Sequence, residues 1–285
     1  MSASLDYPEL FVSPDWLAAN LGRGDVKIVD GSWHMPSAGR DARAEFKAGH
    51  IPGAVFFDID RVADTSLPLP HMLPEPEMFA DAAGAMGISE DDTIIIYDSV
   101  GLFSAARVWW TFSIMGAENV RILEGGLPAW KAAGFEVTDA TPLTKPANFH
   151  PVFNARHVLD LADMRHEIAK GDALILDARP RGRFEGRDPE PREGLPSGHM
   201  PGAVSLPASD LIENGALVSR NKLDLLFAAT GVAGRKPVIT TCGSGVTAAI
   251  ISLALAAVGH DNRALYDGSW TEWAGHKDSE IVKAE

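Results

Sequence analysis

Apolar residues along this chain gather in short runs that do not alternate strictly with polar ones. Residues 26–30, 54–57, 93–97 and 120–123 are such runs, rich in Val and Ile, and read as strands. Between them, residues 76–86 and 104–115 have the length and apolar spacing of helices. Short strands of this kind, buried on both faces and alternating with helices, predict a parallel sheet. Further along, residues 237–241 read as another buried strand. Residues 248–258, almost wholly apolar, read as a helix that Gly259 stops.

The pattern occurs twice. Val26-Lys27-Ile28-Val29-Asp30 recurs as Ala173-Leu174-Ile175-Leu176-Asp177, and Gly49-His50-Ile51-Pro52-Gly53-Ala54 recurs as Gly198-His199-Met200-Pro201-Gly202-Ala203. The strand ending at Tyr97-Asp98 corresponds to the one ending at Thr241-Cys242, and Gly125-Gly126-Leu127 through Trp130 to Gly268-Ser269-Trp270 through Trp273. Landmarks in the same order at nearly constant separation point to an internal repeat. The expected fold class is α/β, with two doubly wound domains in tandem, each a mainly parallel sheet flanked by helices on both faces. Prolines at 142, 146 and 151 mark a linker, giving domains at 1–140 and 153–285 joined by residues 141–152.

The repeat sets off the chain's one cysteine. Cys242 opens the run Cys242-Gly243-Ser244-Gly245-Val246-Thr247 between a strand and a helix, where ligands collect in open α/β sheets. Glycines let such a turn curl so that amide hydrogens converge, a setting that favours a thiolate and holds anions. The competing reading is a small buried hydrophobe. The first half carries Asp98 at the corresponding place, read as a turn or capping residue. His50 and His199 recur in both copies while the thiol does not, so a role in the fold is expected of them.

Composition narrows the partners. A net charge of −14 with no dense basic cluster argues against nucleic acid. It also leaves an anionic substrate in need of a local cationic pocket, and Arg179, Arg181, Arg183, Arg187 and Arg192 crowd one segment. Arg179, beside Asp177, reads as a structural ion-pair partner. A single cysteine excludes an internal disulfide, and no histidine spacing suggests a metal; neither metal nor cofactor is expected. The N-terminal residues lack a secretory leader's features and no apolar run spans a bilayer, so no membrane association is expected and the expected compartment is the cytoplasm.

The paired Gly-His-x-Pro-Gly-Ala segments and the Cys-headed loop in one copy resemble the tandem rhodanese family over essentially the whole chain. The uncharged loop looks like that of members acting on 3-mercaptopyruvate; thiosulfate-using members carry basic residues after the cysteine. Phe56-Phe57-Asp58-Ile59-Asp60, His71-Met72-Leu73-Pro74, Gly182-Arg183-Phe184 and Pro189-Glu190-Pro191-Arg192 agree with that branch. The resemblance implies that Cys242 takes sulfur from 3-mercaptopyruvate as a persulfide and releases pyruvate. A thiol such as thioredoxin or a small thiol, or cyanide, would be the acceptor.

It further implies that Gly243, Gly245, Val246 and Thr247 belong to the loop holding the sulfur, and that Arg183 and Arg192 grip the keto acid. Ser244, His71 and Asp60 would form a polar relay, and the protein would act as a monomer. Phe103 departs from relatives that carry tyrosine there. Alternatives are a thiosulfate sulfurtransferase and a non-enzymatic sulfur-relay or regulatory module. A cysteine phosphatase would need an arginine where Ala248 stands.

Overall fold

In the computed structural model, which describes residues 6–232, 234 and 236–284, each half of the chain builds a five-stranded parallel sheet. Residues 1–5, part of the segment read as free of a leader, lie outside the described residues. The first sheet comprises β1 (Phe11–Val12), β2 (Val26–Asp30), β3 (Ala54–Phe56), β4 (Thr93–Tyr97) and β5 (Asn119–Leu123), in the order β1-β5-β4-β2-β3. The second comprises β6 (Val158–Leu159), β7 (Leu174–Asp177), β8 (Ala203–Ser205), β9 (Val238–Thr241) and β10 (Arg263–Tyr266). Its order is β6-β10-β9-β7-β8, the same permutation. Registry matters for the site: Thr241 pairs with Asp177, so the carboxyl ends of β9 and β7 are level.

Among the described residues, five α-helices accompany each sheet. In the first half they are α1 (Pro14–Asn20), α2 (Ala42–Ala48), α3 (Pro76–Ala85), α4 (Ala105–Ile114) and α5 (Gly126–Ala132). In the second they are α6 (Leu161–Lys170), α7 (Arg181–Phe184), α8 (Arg220–Thr230), α9 (Ala248–Ala257) and α10 (Ser269–Gly275). Local chemistry sets their ends. Ser13 accepts the Trp16 amide ahead of Pro14, and Asp160 and Asp163 form a reciprocal capping box on α6. The helices expected over 76–86, 104–115 and 248–258 are shorter because Met86, Ser104, Met115 and Val258 serve as caps.

Both faces of the first sheet are covered. Leu17, Phe46, Ile51, Tyr97 and Trp130 fill one layer. Phe57, Phe79, Phe112 and Phe149 form an aromatic cluster, with edge contacts at 5.0 Å between Phe79 and Phe112 and 5.2 Å between Phe79 and Phe149. Ile94, Ile95 and Ile96 are fully buried, each contributing about 1.5–3 kcal/mol from removal of its side chain from water. The second sheet has a matching layer of Met164, Ile175, Met200, Ile239, Tyr266, Trp270 and Trp273. Every residue of α9 except Ala256 is buried. Its one hydroxyl, on Ser252, meets Thr240 Oγ1 at 2.9 Å, so no unsatisfied polar group enters the core.

The recurring histidines fasten equivalent turns. His50 Nδ1 lies 2.7 Å from the Phe46 carbonyl and its ring stacks on Phe46 at 4.0 Å. His199 does the same with Phe184, at 2.8 Å and 4.0 Å. Each also bridges to a later segment, His50 to Thr138 and His199 to Val282.

Contacts divide the chain into two units. Unit 1 holds the described residues through Asp64, Leu73–Asn154 and Asn214–Leu217; unit 2 holds Thr65–Met72, Ala155–Glu213 and the described residues from Val218 onward. Residues 141–154 carry no helix or strand. They stay with unit 1 because the Ala147 amide donates to Gly84 O at 2.9 Å, and those of Val152 and Asn154 to Met115 O and Ile114 O at 2.9 Å. Gly84 leaves room for this track, since a Cβ there would sit 2.6 Å from the Ala147 carbonyl oxygen.

Candidate active site

The end of β9 delivers Cys242 into a tight connection to α9, and the thiol is buried, only 2% exposed. The two loop glycines have different tasks. Gly245 adopts a left-handed backbone, φ 78°, and makes the turn. Gly243 does not have a positive φ, so of the two glycines expected to let the turn curl only Gly245 uses the left-handed region. A Cβ there would lie 3.2 Å from Arg183 Nη2 and 3.8 Å from Arg192 Nη1. A side chain there would crowd the Arg183 guanidinium and touch that of Arg192 only at ordinary contact distance.

Neighbouring residues hold the loop's carbonyls. The Trp270 amide donates to Cys242 O at 2.9 Å; Gly243 O accepts from the Thr271 amide at 3.0 Å and from Thr271 Oγ1 at 2.6 Å. In a trans peptide N–H and C=O point in opposite directions. Anchoring those two carbonyls therefore turns the amides of Gly243 and Ser244 away from α10. Among the described residues, no protein acceptor takes the amide hydrogens of Gly243, Ser244, Val246 or Thr247. Amides without a protein acceptor beside a buried thiol are a setting for negative charge.

The first half shows what such a loop does when the chain supplies its own anion. Asp98, 1% exposed, accepts amides from Val100 (3.0 Å) and Gly101 (2.8 Å) on Oδ1, and from Phe103 (2.7 Å) and Ala105 (3.0 Å) on Oδ2. The Leu127 amide holds Asp98 O at 3.0 Å, as Trp270 holds Cys242 O. One copy of the loop is filled by a carboxylate. The other presents a thiol at the same strand end.

A buried network fixes the arginines. Arg179 grips Asp177 (Nη2–Oδ2 2.6 Å), donates to Gly198 O at 2.6 Å and lies over the Trp270 ring at 4.1 Å. Burial works against its charge, but Asp177 and then Glu190 outweigh this and hold its pKa above that of an ordinary arginine. Glu190 bridges the pair, with Oε1 2.7 Å from Arg179 Nη1 and Oε2 2.6 Å from Arg183 Nη2. Arg183 is thus preset beside Gly243 while part of its side chain, 18%, faces solvent.

The remaining candidates are placed as follows. Ser244 and Val246 are buried in the loop, and Thr247 caps α9 with its carbonyl accepting the Ile250 amide at 3.1 Å. His71 is buried with a left-handed backbone, φ 62°, and falls in the segment grouped with unit 2. Asp60, exposed and in unit 1, accepts the Trp33 indole N–H at 3.0 Å, and Trp33 stacks on Phe103 at 6.1 Å. The structure therefore brings together the Cys242 loop, Arg183 and Arg192 within unit 2, while Asp60 and His71 belong to different units. Glu190, Ser269 and Thr271 are functional candidates that sequence reasoning passed over. Among the described residues no group of three or more His, Cys, Asp or Glu side chains could hold a metal ion.

A family model described as the rhodanese-like domain matches twice, over residues 13–133 and 160–276. The chain is 42% identical over 269 residues to the 3-mercaptopyruvate sulfurtransferase of Escherichia coli K12, covering 94% of this chain and 96% of that protein. It is 38% identical over 270 residues to the thiosulfate sulfurtransferase of Bos taurus, covering 92% and 91%. The crystal structure of an Escherichia coli 3-mercaptopyruvate sulfotransferase superposes with a TM-score of 0.84 at 41% identity, covering 91% of this chain and 98% of that one. With matched domains in both halves and relatives along nearly its whole length, the chain belongs to the rhodanese family.

Proposed function

We propose that this chain is an enzyme, a sulfurtransferase that moves sulfur from 3-mercaptopyruvate to a thiol acceptor or cyanide through a persulfide on Cys242. The observation that carries the reading is the uncharged loop, with amides that find no protein acceptor among the described residues and with Arg183 and Arg192 beside Gly243. The Cys242 thiolate attacks the substrate sulfur. An S–S bond forms, the substrate's C–S bond breaks, and the electron pair leaves on carbon as pyruvate enolate, which takes up a proton to give pyruvate. The persulfide stays among the amides of Gly243, Gly245, Val246 and Thr247. An acceptor thiolate then attacks the outer sulfur and returns Cys242 to its thiolate.

Arg183 and Arg192 grip the carboxylate and keto oxygen, a task suited to planar guanidinium forks. Ser244, His71 and Asp60 serve as the relay that positions the substrate and manages the enolate's proton. In this reading residues 1–140 form a domain without a catalytic thiol, 141–152 a linker and 153–285 the catalytic domain. The two arose by duplication. The enzyme works as a monomer in the cytoplasm, with thioredoxin or a small thiol as acceptor and no cofactor. No helix among the described residues is long and apolar enough to cross a membrane.

The bovine relative's name supports a second donor, thiosulfate. Turnover on each donor, with pyruvate release measured for the first, separates the two. We expect 3-mercaptopyruvate to be preferred. Arg183→Ala and Arg192→Ala should each lower kcat/KM on it by about 10- to 100-fold, as befits loss of a charge-assisted hydrogen bond. Wild-type kinetics in both variants would remove the clamp from the account, and exclusive use of thiosulfate would overturn the donor assignment.

A further inference from the structure

Ser269 occupies a conformation that a residue with a side chain rarely adopts. It is fully buried at the start of α10 with φ 51°, one of three non-glycine residues with positive φ among those described. Its counterpart in the first half is Gly126, φ 56°, where the same backbone costs little. There a side chain is also sterically barred: a Cβ on Gly126 would meet Asp98 O at 2.5 Å and Gly101 O at 2.9 Å. The copy that carries the thiol keeps a hydroxymethyl group where the other copy keeps nothing.

That hydroxyl is used. Ser269 Oγ donates to Tyr266 O at 2.9 Å, which leaves its lone pairs to accept the Cys242 amide at 3.3 Å; Thr241 Oγ1 approaches at 3.4 Å. In the first half, the side chain at the strand end satisfies the loop amides itself. In the second, the strand-end amide is taken out of the loop by Ser269, while Trp270 and Thr271 take the carbonyls of Cys242 and Gly243. Three consecutive residues thus bracket the peptide units on either side of Cys242.

We propose that Ser269 is a positioning residue for the Cys242 thiol, held in a left-handed backbone so that its hydroxyl can fix the Cys242 peptide and aim the remaining loop amides at the sulfur. The inference rests on the reading of Cys242 as nucleophile. It predicts that losing the hydroxyl raises the pH needed to ionise Cys242 even though the backbone is relieved.

Ser269→Gly is the decisive variant, because it removes the hydroxyl and relaxes the φ 51° conformation together. Ser269→Ala removes the hydroxyl alone. Cys242 is the chain's only cysteine, so its alkylation by iodoacetamide is site-specific. Both variants should show an alkylation profile displaced to higher pH, and alkylation at neutral pH and kcat/KM on 3-mercaptopyruvate slowed about fivefold, the weight of one buried hydrogen bond. Ser269→Gly should melt above Ser269→Ala, whose backbone stays strained, and both should keep a cooperative unfolding transition, which separates this loss from unfolding. A wild-type alkylation profile in Ser269→Gly would overturn the proposal. The nucleophile reading fails separately, by sulfur transfer surviving in Cys242→Ser, and the alkylation profile reports on Ser269 in either case.

Discussion

Replacing Asp98 by alanine removes the only acceptor the first loop provides for four of its own amides. Those of Gly101 and Ala105 are buried, Phe103 is half-buried, and Val100 lies at the surface where water can replace the carboxylate. A hydrogen bond to a charged group contributes about 1.5–3 kcal/mol, and a buried donor left without a partner costs about 1–3 kcal/mol. Water reaching Val100 and partial relaxation at Phe103 reduce the total, leaving roughly 3–5 kcal/mol of lost stability. That is a large share of the ~5–15 kcal/mol typical of a domain. Asp98→Asn keeps one oxygen but turns an NH2 group toward the other pair of amides, so it should fall about midway. Urea unfolding followed by tryptophan fluorescence and by far-ultraviolet circular dichroism measures both variants, and the two probes show whether the halves unfold together. An Asp98→Ala midpoint equal to the wild type would refute the idea that this carboxylate fills the loop. Persulfide formation should survive in the folded protein, since no step of the proposed chemistry uses Asp98.

Glu190→Gln should lower both stability and efficiency, because the carboxylate is buried between Arg179 and Arg183. Breaking such a pair costs about 3–5 kcal/mol, so a melting curve and steady-state kinetics should fall together, and a change in neither would contradict the network. Glu45 carries a pH prediction. Bonds from Arg40, helped by His34, hold its carboxyl down to about 2 against an ordinary 4.5. Because the folded pKa is depressed, this stabilisation is complete above the unfolded value and is lost as pH falls toward about 2. Glu45→Gln should therefore flatten the acid side of the stability profile in that window; an unchanged slope would count against the assignment.

Much of the fold was legible because its signals are local. Short, mostly apolar runs mark β2, β4 and β9 within a residue of their observed bounds, since strands buried on both faces need no alternation. The two-residue strands Phe11–Val12 and Val158–Leu159 are too short to show any period and were invisible. Cys242 stood out through its solitude and its turn. Of the two loop glycines only Gly245 has positive φ, a distinction that a sequence does not carry. Ser269 and Thr271 escape for a different reason: each acts on a loop far away along the chain. Glu190 lies near its partners Arg183 and Arg179, but which of the segment's arginines a carboxylate joins is decided only by the fold. The contrast that exposes Ser269, a side chain where Gly126 has none, becomes meaningful only once both φ angles are known.

In the proposed reaction Cys242 accepts sulfur from 3-mercaptopyruvate. Intact-mass measurement of the protein after brief incubation with that donor, without an acceptor, addresses it directly. One added sulfur is expected on the wild type, lost on addition of a thiol or cyanide, with one pyruvate released per chain and no added sulfur on Cys242→Ser. Sulfur retained by Cys242→Ser, or pyruvate released by it at the wild-type rate, would contradict the claim.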